Sequence, residues 1–191
     1  MSSQVIEKYD TIINTGHYLS FYSKEIKGPS FVMYKLYKGG GDISRSGMTF
    51  KSWKRLPHFN YAKSGYDKGH LVSAEDYAYD KNKLKSTFYY INCIPQTSKL
   101  NRGQWKRYEN LVRRLSQQDS LLIICGGCDY DKKTLIPKNC FKIVYNLRNH
   151  QWLYSHMFTN DNVCIVTVND SLRTRMPLWK MLKIYNERIK N

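Results

Sequence analysis

Residues 66–76 read YDKGHLVSAED. An acid, a base, a glycine and a histidine stand in a row and then run into small and apolar residues. Gly69 lets the backbone come close to a ligand. Lys68 supplies positive charge, and Asp67 is placed to orient an imidazole or to hold the loop through side-chain to backbone bonds. His70 is therefore a histidine with chemical company. His58, by contrast, follows a proline in a basic segment and shows no partner. Four-residue strings recur by chance, so DKGH gains weight only from a second segment, residues 87–109, TFYYINCIPQTSKLNRGQWKRYE.

In that second segment a helical period begins. Over residues 101–117, NRGQWKRYENLVRRLSQ, one face carries Trp105, Tyr108, Leu111 or Val112, and Leu115, and the other carries Lys106, Arg107, Arg113 and Arg114. Asn101 sits at the mouth of the predicted helix, and Glu109 follows a little over two turns later. An amide oxygen and a carboxylate on one side, facing a histidine from a preceding strand, can frame a hard cation. Mg²⁺ commonly keeps several waters and takes one or two protein oxygens. Two plainer readings stay open: Asn101 as an N-cap only, and Glu109 as the i, i+4 partner of Arg113 only.

Around these segments the chain reads as alternating strand and turn. SFVMYKL (30–36) follows the Gly28-Pro29 turn and is broken by Gly39-Gly40-Gly41. Residues 43–66 are basic and irregular, with Trp53 as the main apolar anchor. FYYINCI (88–94), SLLIIC (120–125), FKIVYN (141–146), QWLYSHMF (151–158) and NVCIVTV (162–168) all read as strands. Runs this apolar suit a sheet covered on both faces. PLWKMLKIYNERI (177–189) opens with Pro177, a favoured first helical residue, and lines up Leu178, Leu182, Tyr185 and Ile189 as a closing helix. The expected architecture is a mixed α/β (α+β) domain over residues 1–191, a largely antiparallel central sheet with flanking helices.

Charge narrows the function. Lys plus Arg number 31 against 15 for Asp plus Glu, a net charge of +16, and such a field attracts polyanions, above all nucleic acid. No apolar run approaches the eighteen or so residues of a membrane span. The beginning, MSSQVIEKYDTIIN, lacks a basic region followed by an apolar one, which predicts an intracellular, cytoplasmic chain. The five cysteines are odd in number and irregular in spacing, a poor disulfide framework. Cys125 and Cys128, in CGGC, have zinc-ligand spacing, but no second pair completes a site. Buried thiols are the expectation.

YDKGHLVSAED together with TFYYINCIPQTSKLNRGQWKRYE resembles the DNA/RNA non-specific endonucleases, the ββα-metal nucleases with a D-R-G-H signature. The likeness extends through YLSFYSKEIKGPSFVMYKL and the stretch from CGGCDY to FKIVYN, nearly the whole chain. The joint occurrence of DKGH, N-x-x-PQ and LNRGQW-x-x-x-E is specific.

That resemblance implies a ββα-metal (His-Me finger) motif, with His70 as general base and Asn101 as direct ligand of Mg²⁺ (or Mn²⁺). Glu109 matches the acid that holds metal-bound water, and Asn92 and Gln96 match residues that brace the site. The family's upstream phosphate-holding arginine falls most nearly on Lys51, with Arg45 as competitor. Lys68 stands where the family has arginine; it keeps the charge and loses the planar fork. Further phosphate contacts are expected from Lys54, Arg55, Arg102, Lys106 and Arg107. The implied activity is hydrolysis of DNA or RNA without sequence preference, leaving 5′-phosphates. A non-catalytic nucleic-acid binder on the same scaffold is the main alternative, and a basic interaction protein the lesser one. An inhibitor or immunity protein is an expected partner of an unspecific intracellular nuclease, and a homodimer an allowed arrangement.

Overall fold

The structure, a computed structural model, describes residues 8–161, 165–167 and 178–189. Its main sheet has seven strands, all antiparallel, in the order β1-β2-β3-β6-β7-β8-β9. These are β1 Thr11–Asn14, β2 Leu19–Ser23, β3 Gly28–Leu36, β6 Leu121–Tyr130, β7 Pro137–Asn146, β8 Gln151–Thr159 and β9 Ile165–Thr167. A separate pair, β4 Asp67–His70 and β5 Cys93–Gln96, is also antiparallel. The helices are α1 Lys81–Ser86, α2 Ser98–Leu100, α3 Lys106–Leu115 and α4 Leu178–Arg188.

Side chains alternate across a strand with a period of two, and here both faces of the sheet are covered. Val32, Tyr34, Leu36, Leu121, Ile123 and Val144 face one way, toward Leu71, Ile94, Trp105 and Val112 of the β4–β5–α3 unit. Phe31, Met33, Leu122, Ile124, Phe141 and Ile143 face the other way, toward Met181 and Tyr185 of α4. This double covering is why the strand sequences read as unbroken apolar runs.

The placement of β5 and α3 rests on polar pins. Thr97 caps α2, its Oγ1 accepting from the Leu100 amide at 3.3 Å. Buried Asn160 fixes the same corner, its Nδ2 donating to the carbonyls of Pro95 (3.0 Å) and Pro137 (2.9 Å) and its Oδ1 accepting from the Thr97 amide (2.9 Å). Asn92 braces from inside: its Oδ1 accepts from the Val72 amide (2.9 Å), and its Nδ2 donates to the carbonyls of Val72 and Thr87 (3.0 Å each).

Two expectations are corrected. FYYINCI is not one strand; a single 3₁₀ turn, Tyr90–Asn92, precedes β5, because Asn92 turns inward to make those three bonds. The helix over 101–117 begins as a wide π-type turn, Asn101–Trp105, with Gly103 at φ −102°, ψ −107°, before α3 proper. On α4 Leu182, Tyr185 and Ile189 pack on the sheet as expected, joined by Met181 and Ile184. Pro177 and Cys164 lie outside the described residues. Cys93, Cys125, Cys128 and Cys140 are buried. No helix among the described residues is long and apolar enough to cross a membrane.

Strands β3 and β6 approach closely at Gly126, where a Cβ would land on the Ser30 carbonyl oxygen and 2.7 Å from the Phe31 Cα. Gly126→Ala is therefore expected to destabilise the fold by ~1–3 kcal/mol, the usual cost of overpacking, read as a lower midpoint in urea denaturation. An unchanged midpoint would mean that β3 and β6 are not packed this tightly.

Candidate active site

β4, β5 and the helical segment after them form a compact corner on one face of the sheet. Trp105 locks it: its indole N–H donates to the His70 carbonyl at 3.0 Å, tying the start of α3 to the end of β4. Gly69 is required here, since a Cβ would strike the side-chain amide of buried Gln96.

His70 is wedged between two rings, with centroids of Phe50 at 4.7 Å and Phe88 at 5.0 Å. Its Nε2 is shut off from solvent and has no hydrogen-bond partner. Burial, helped by the charge of Arg45, lowers its pKa to about 3. The imidazole is neutral throughout the physiological range.

Asp67 does not orient that imidazole. Its carboxylate takes a two-point contact from Arg102 (Nε to Oδ2, 2.9 Å; Nη2 to Oδ1, 2.8 Å) and a bond from Asn101 Nδ2 at 3.0 Å. The Arg102 bonds, with a smaller contribution from Asn101, hold the acid below its ordinary pKa against the opposing effect of burial. An ionised carboxylate only accepts, so the amide of Asn101 must turn its NH₂ to Asp67 and keep Oδ1 for the cleft. Asn101 is no N-cap either; Thr97 does that, and Asn101 ends α2.

Glu109, half-buried, lies against a buried polar nest of Ser73, Asp76 and Lys142. Arg113 directs its guanidinium to Asp76 (3.1 Å), Asn110 (2.9 Å) and Ser73 (3.3 Å) rather than pairing with Glu109. Burial pushes the Glu109 carboxyl up to about 7, with the charge of Lys142 pulling the other way. Lys142, on β7, is itself buried, its ammonium 4.3 Å from the Trp105 ring centroid and without a hydrogen bond.

His70, Asn101 and Glu109 line one cavity of about 570 Å³, together with Arg45, Arg102 and Lys106. Lys68 lines an adjoining cavity of about 810 Å³ that shares Arg45, His70, Asn101 and Arg102. Lys51, Lys54, Arg55 and Arg107 are exposed and line neither. The upstream base at the cleft is Arg45, not Lys51, whose backbone instead pairs with Tyr89 while its side chain faces solvent. Lys54 and Arg55 occupy a tight turn at φ 42° and 62°. Sequence reasoning missed Asp76, Ser73 and Lys142. For Lys142 a signal was available: a lone lysine inside FKIVYN, at a position whose neighbours alternate inward.

The donor set also tests the fit to a metal. It offers the amide oxygen Asn101 Oδ1 and the carboxylate of Glu109 in the same cavity, where a second carboxylate, Glu75, is paired with Arg45 at 3.7 Å. Among the described residues no group of three or more His, Cys, Asp or Glu side chains is suited to hold an ion. A hard cation that keeps most of its waters fits such a set, and a tetrahedrally caged zinc does not.

Comparison with known proteins bears on the family and the fold. The profile of the DNA/RNA non-specific endonuclease family matches residues 4–187. Bovine mitochondrial endonuclease G is 27% identical over 150 residues, covering 74% of this chain and 50% of that protein. A nuclease of Nostoc is 35% identical over 98 residues, 48% of this chain and 36% of that one. Human mitochondrial nuclease EXOG is 31% identical over 121 residues, 59% and 33% respectively. The chain thus spans half or less of the length of these relatives. The fold is similar to that in a crystal structure of the EndoG/EndoGI complex, with a TM-score of 0.72 at 20% identity, over 86% of this chain and 83% of that one.

The environment of His70 has a consequence for stability. Unfolded, the ring takes up a proton near pH 6.5; folded, it does so only near pH 3. The unfolded chain binds more protons in that window, so this contribution to stability is present above pH 6.5 and is lost as pH falls toward 3. His70→Ala should therefore lose less stability than the wild type between pH 6.5 and 4, measured by urea midpoints in the presence of a chelator. Parallel curves would show that the ring titrates normally.

Proposed function

The chain belongs to the DNA/RNA non-specific endonuclease family, and from that premise we propose that it is a metal-dependent nuclease that hydrolyses phosphodiester bonds at the His70–Asn101 cleft. One observation carries this reading: a neutral imidazole and a free amide oxygen line a single cavity edged by Arg45, Arg102 and Lys106. Neither a basic binding surface nor a structural core needs that combination.

His70 acts as general base. With Nε2 closed off, Nδ1 is the nitrogen that can meet a water in the cleft and take its proton as the water attacks phosphorus in line. A low pKa makes the ring a weak base, yet it guarantees that the ring is unprotonated when substrate arrives. Arg45 and Lys106 neutralise non-bridging oxygens. Arg102, tied to Asp67, contributes less free charge to the phosphate and more rigidity to Asn101. Asn101 Oδ1 would hold Mg²⁺ (or Mn²⁺), with Glu109 able to hold its waters, and the ion would supply Lewis-acid stabilisation of phosphate charge when bound. Products with 5′-phosphates follow from the family. No sequence preference is expected, because phosphate contacts carry no base information.

The two sheets share one continuous core on this face, which supports reading the chain as one nuclease domain. The net charge of +16 predicts binding that falls steeply with salt as counterion release is lost. Several relatives are named as mitochondrial proteins, so an intracellular setting, mitochondria included, fits. The EndoG/EndoGI neighbour is described as an inhibition complex, which supports a protein inhibitor as a partner here.

The test is nicking of supercoiled plasmid, with single-stranded DNA and RNA in parallel. Cleavage should require Mg²⁺ and stop with EDTA, and His70→Ala should lower the rate ~10²–10⁴-fold with plasmid binding intact. Binding without cleavage by the wild type would favour the non-catalytic alternative.

A further inference from the structure

The second cavity differs in character from the first. The edge formed by Arg45, His70, Asn101 and Arg102 is shared, but the floor is aromatic. Rings run outward from the catalytic imidazole in an unbroken series: Phe50 lies 4.7 Å from His70, Tyr90 lies 5.6 Å from Phe50, and His58 lies 3.7 Å from Tyr90 at only 12° between planes. Tyr61 is nearly parallel too, 16° from Tyr90 at 5.9 Å. The ammonium of Lys68 stands 6.0 Å from the centroids of both tyrosines.

Rings that only fill a core are fully buried. His58, Tyr61 and Tyr90 instead keep part of their surface exposed and line the cavity wall. His58 is tied down by a single polar contact, from Nδ1 to its neighbour's carbonyl, Phe59 O, at 2.9 Å. His58 and Tyr90 cover each other's inner faces, so a ligand in the cavity meets the outer side of the pair; a phosphate has no use for a flat ring surface, whereas a nucleobase does, and stacking on aromatic side chains tolerates any base. Bases inside a duplex are already stacked and paired, so only an unpaired base can enter.

Resting on the nuclease reading above, we propose that this trough is a nucleobase subsite. It receives one unpaired base from the nucleotide next to the scissile phosphate, on the shelf formed by His58 and Tyr90, while Lys68 neutralises an adjoining phosphate. The substrates it favours are single-stranded, gapped or locally melted nucleic acids rather than fully paired duplex.

The experiment is binding in EDTA, followed by fluorescence anisotropy, so that no turnover is needed. Three labelled probes of equal length are compared: a single-stranded oligodeoxynucleotide, the same strand made abasic throughout, and a duplex. The wild type should bind the base-bearing strand about 5- to 150-fold more tightly than the abasic one. His58→Ala should bring that ratio close to one without changing duplex affinity, and His58→Phe, which keeps a flat ring, should preserve it. A ratio near one in the wild type would overturn the proposal. So would equal losses on all three probes in His58→Ala, or a loss in His58→Phe matching that in His58→Ala. Failure of the nuclease reading would look different: no Mg²⁺-dependent nicking, whatever the anisotropy gives.

Discussion

The carboxylate of Asp67 holds this site together. It reaches from the first residue of β4 to the turn before α3 and bonds both Asn101 and Arg102. An asparagine amide has two nearly isosteric ends, and nothing in its shape decides which end faces a cleft. Asp67 decides it, because an ionised carboxylate accepts and never donates. The same contact fixes the distance between two segments that are separate in sequence. The other pins, from Trp105 to His70 and from Asn160 to Thr97, set the frame within which that bond forms.

The electrostatics follow a consistent pattern. A chain of net charge +16 gathers polyanions, and the same excess disfavours one more positive charge on a buried ring. Arg45 contributes directly, lying at the cleft and opposing protonation of His70. Glu109 shows the opposite tendency, since burial favours its neutral form even though Lys142 and Arg113 lie near. A cation entering from the cleft would reverse that preference. His70 is thus kept unprotonated, and Glu109 is held where a nearby positive charge would ionise it.

Much of this was legible beforehand, for physical reasons that can be named. β3, β6, β7 and β8 announced themselves through apolar runs because both sheet faces are covered. His70, Asn101 and Glu109 meet in one cavity because they sit on consecutive elements of one ββα unit, where short-range spacing survives folding. Lys51 was chosen over Arg45 because nothing in a basic, irregular segment says which side chain turns inward; loop conformation decided it. FYYINCI looked like a strand because its residues favour strands, but the three hydrogen bonds of Asn92 outweighed that preference. The partners of Glu109 come from β7 and from the turn before α1, and only tertiary packing brings them together. The ring series from His70 to His58 is of the same kind.

The central claim is that Asn101 presents its amide oxygen to a cation beside a neutral His70. Crystals soaked in Mn²⁺ and measured at a wavelength with strong manganese anomalous scattering test it most directly. The account predicts an anomalous peak within bonding distance of Asn101 Oδ1, in the cavity lined by His70 and Glu109. A peak only at other side chains, or an Asn101 amide turned with its nitrogen toward the cleft, would contradict it.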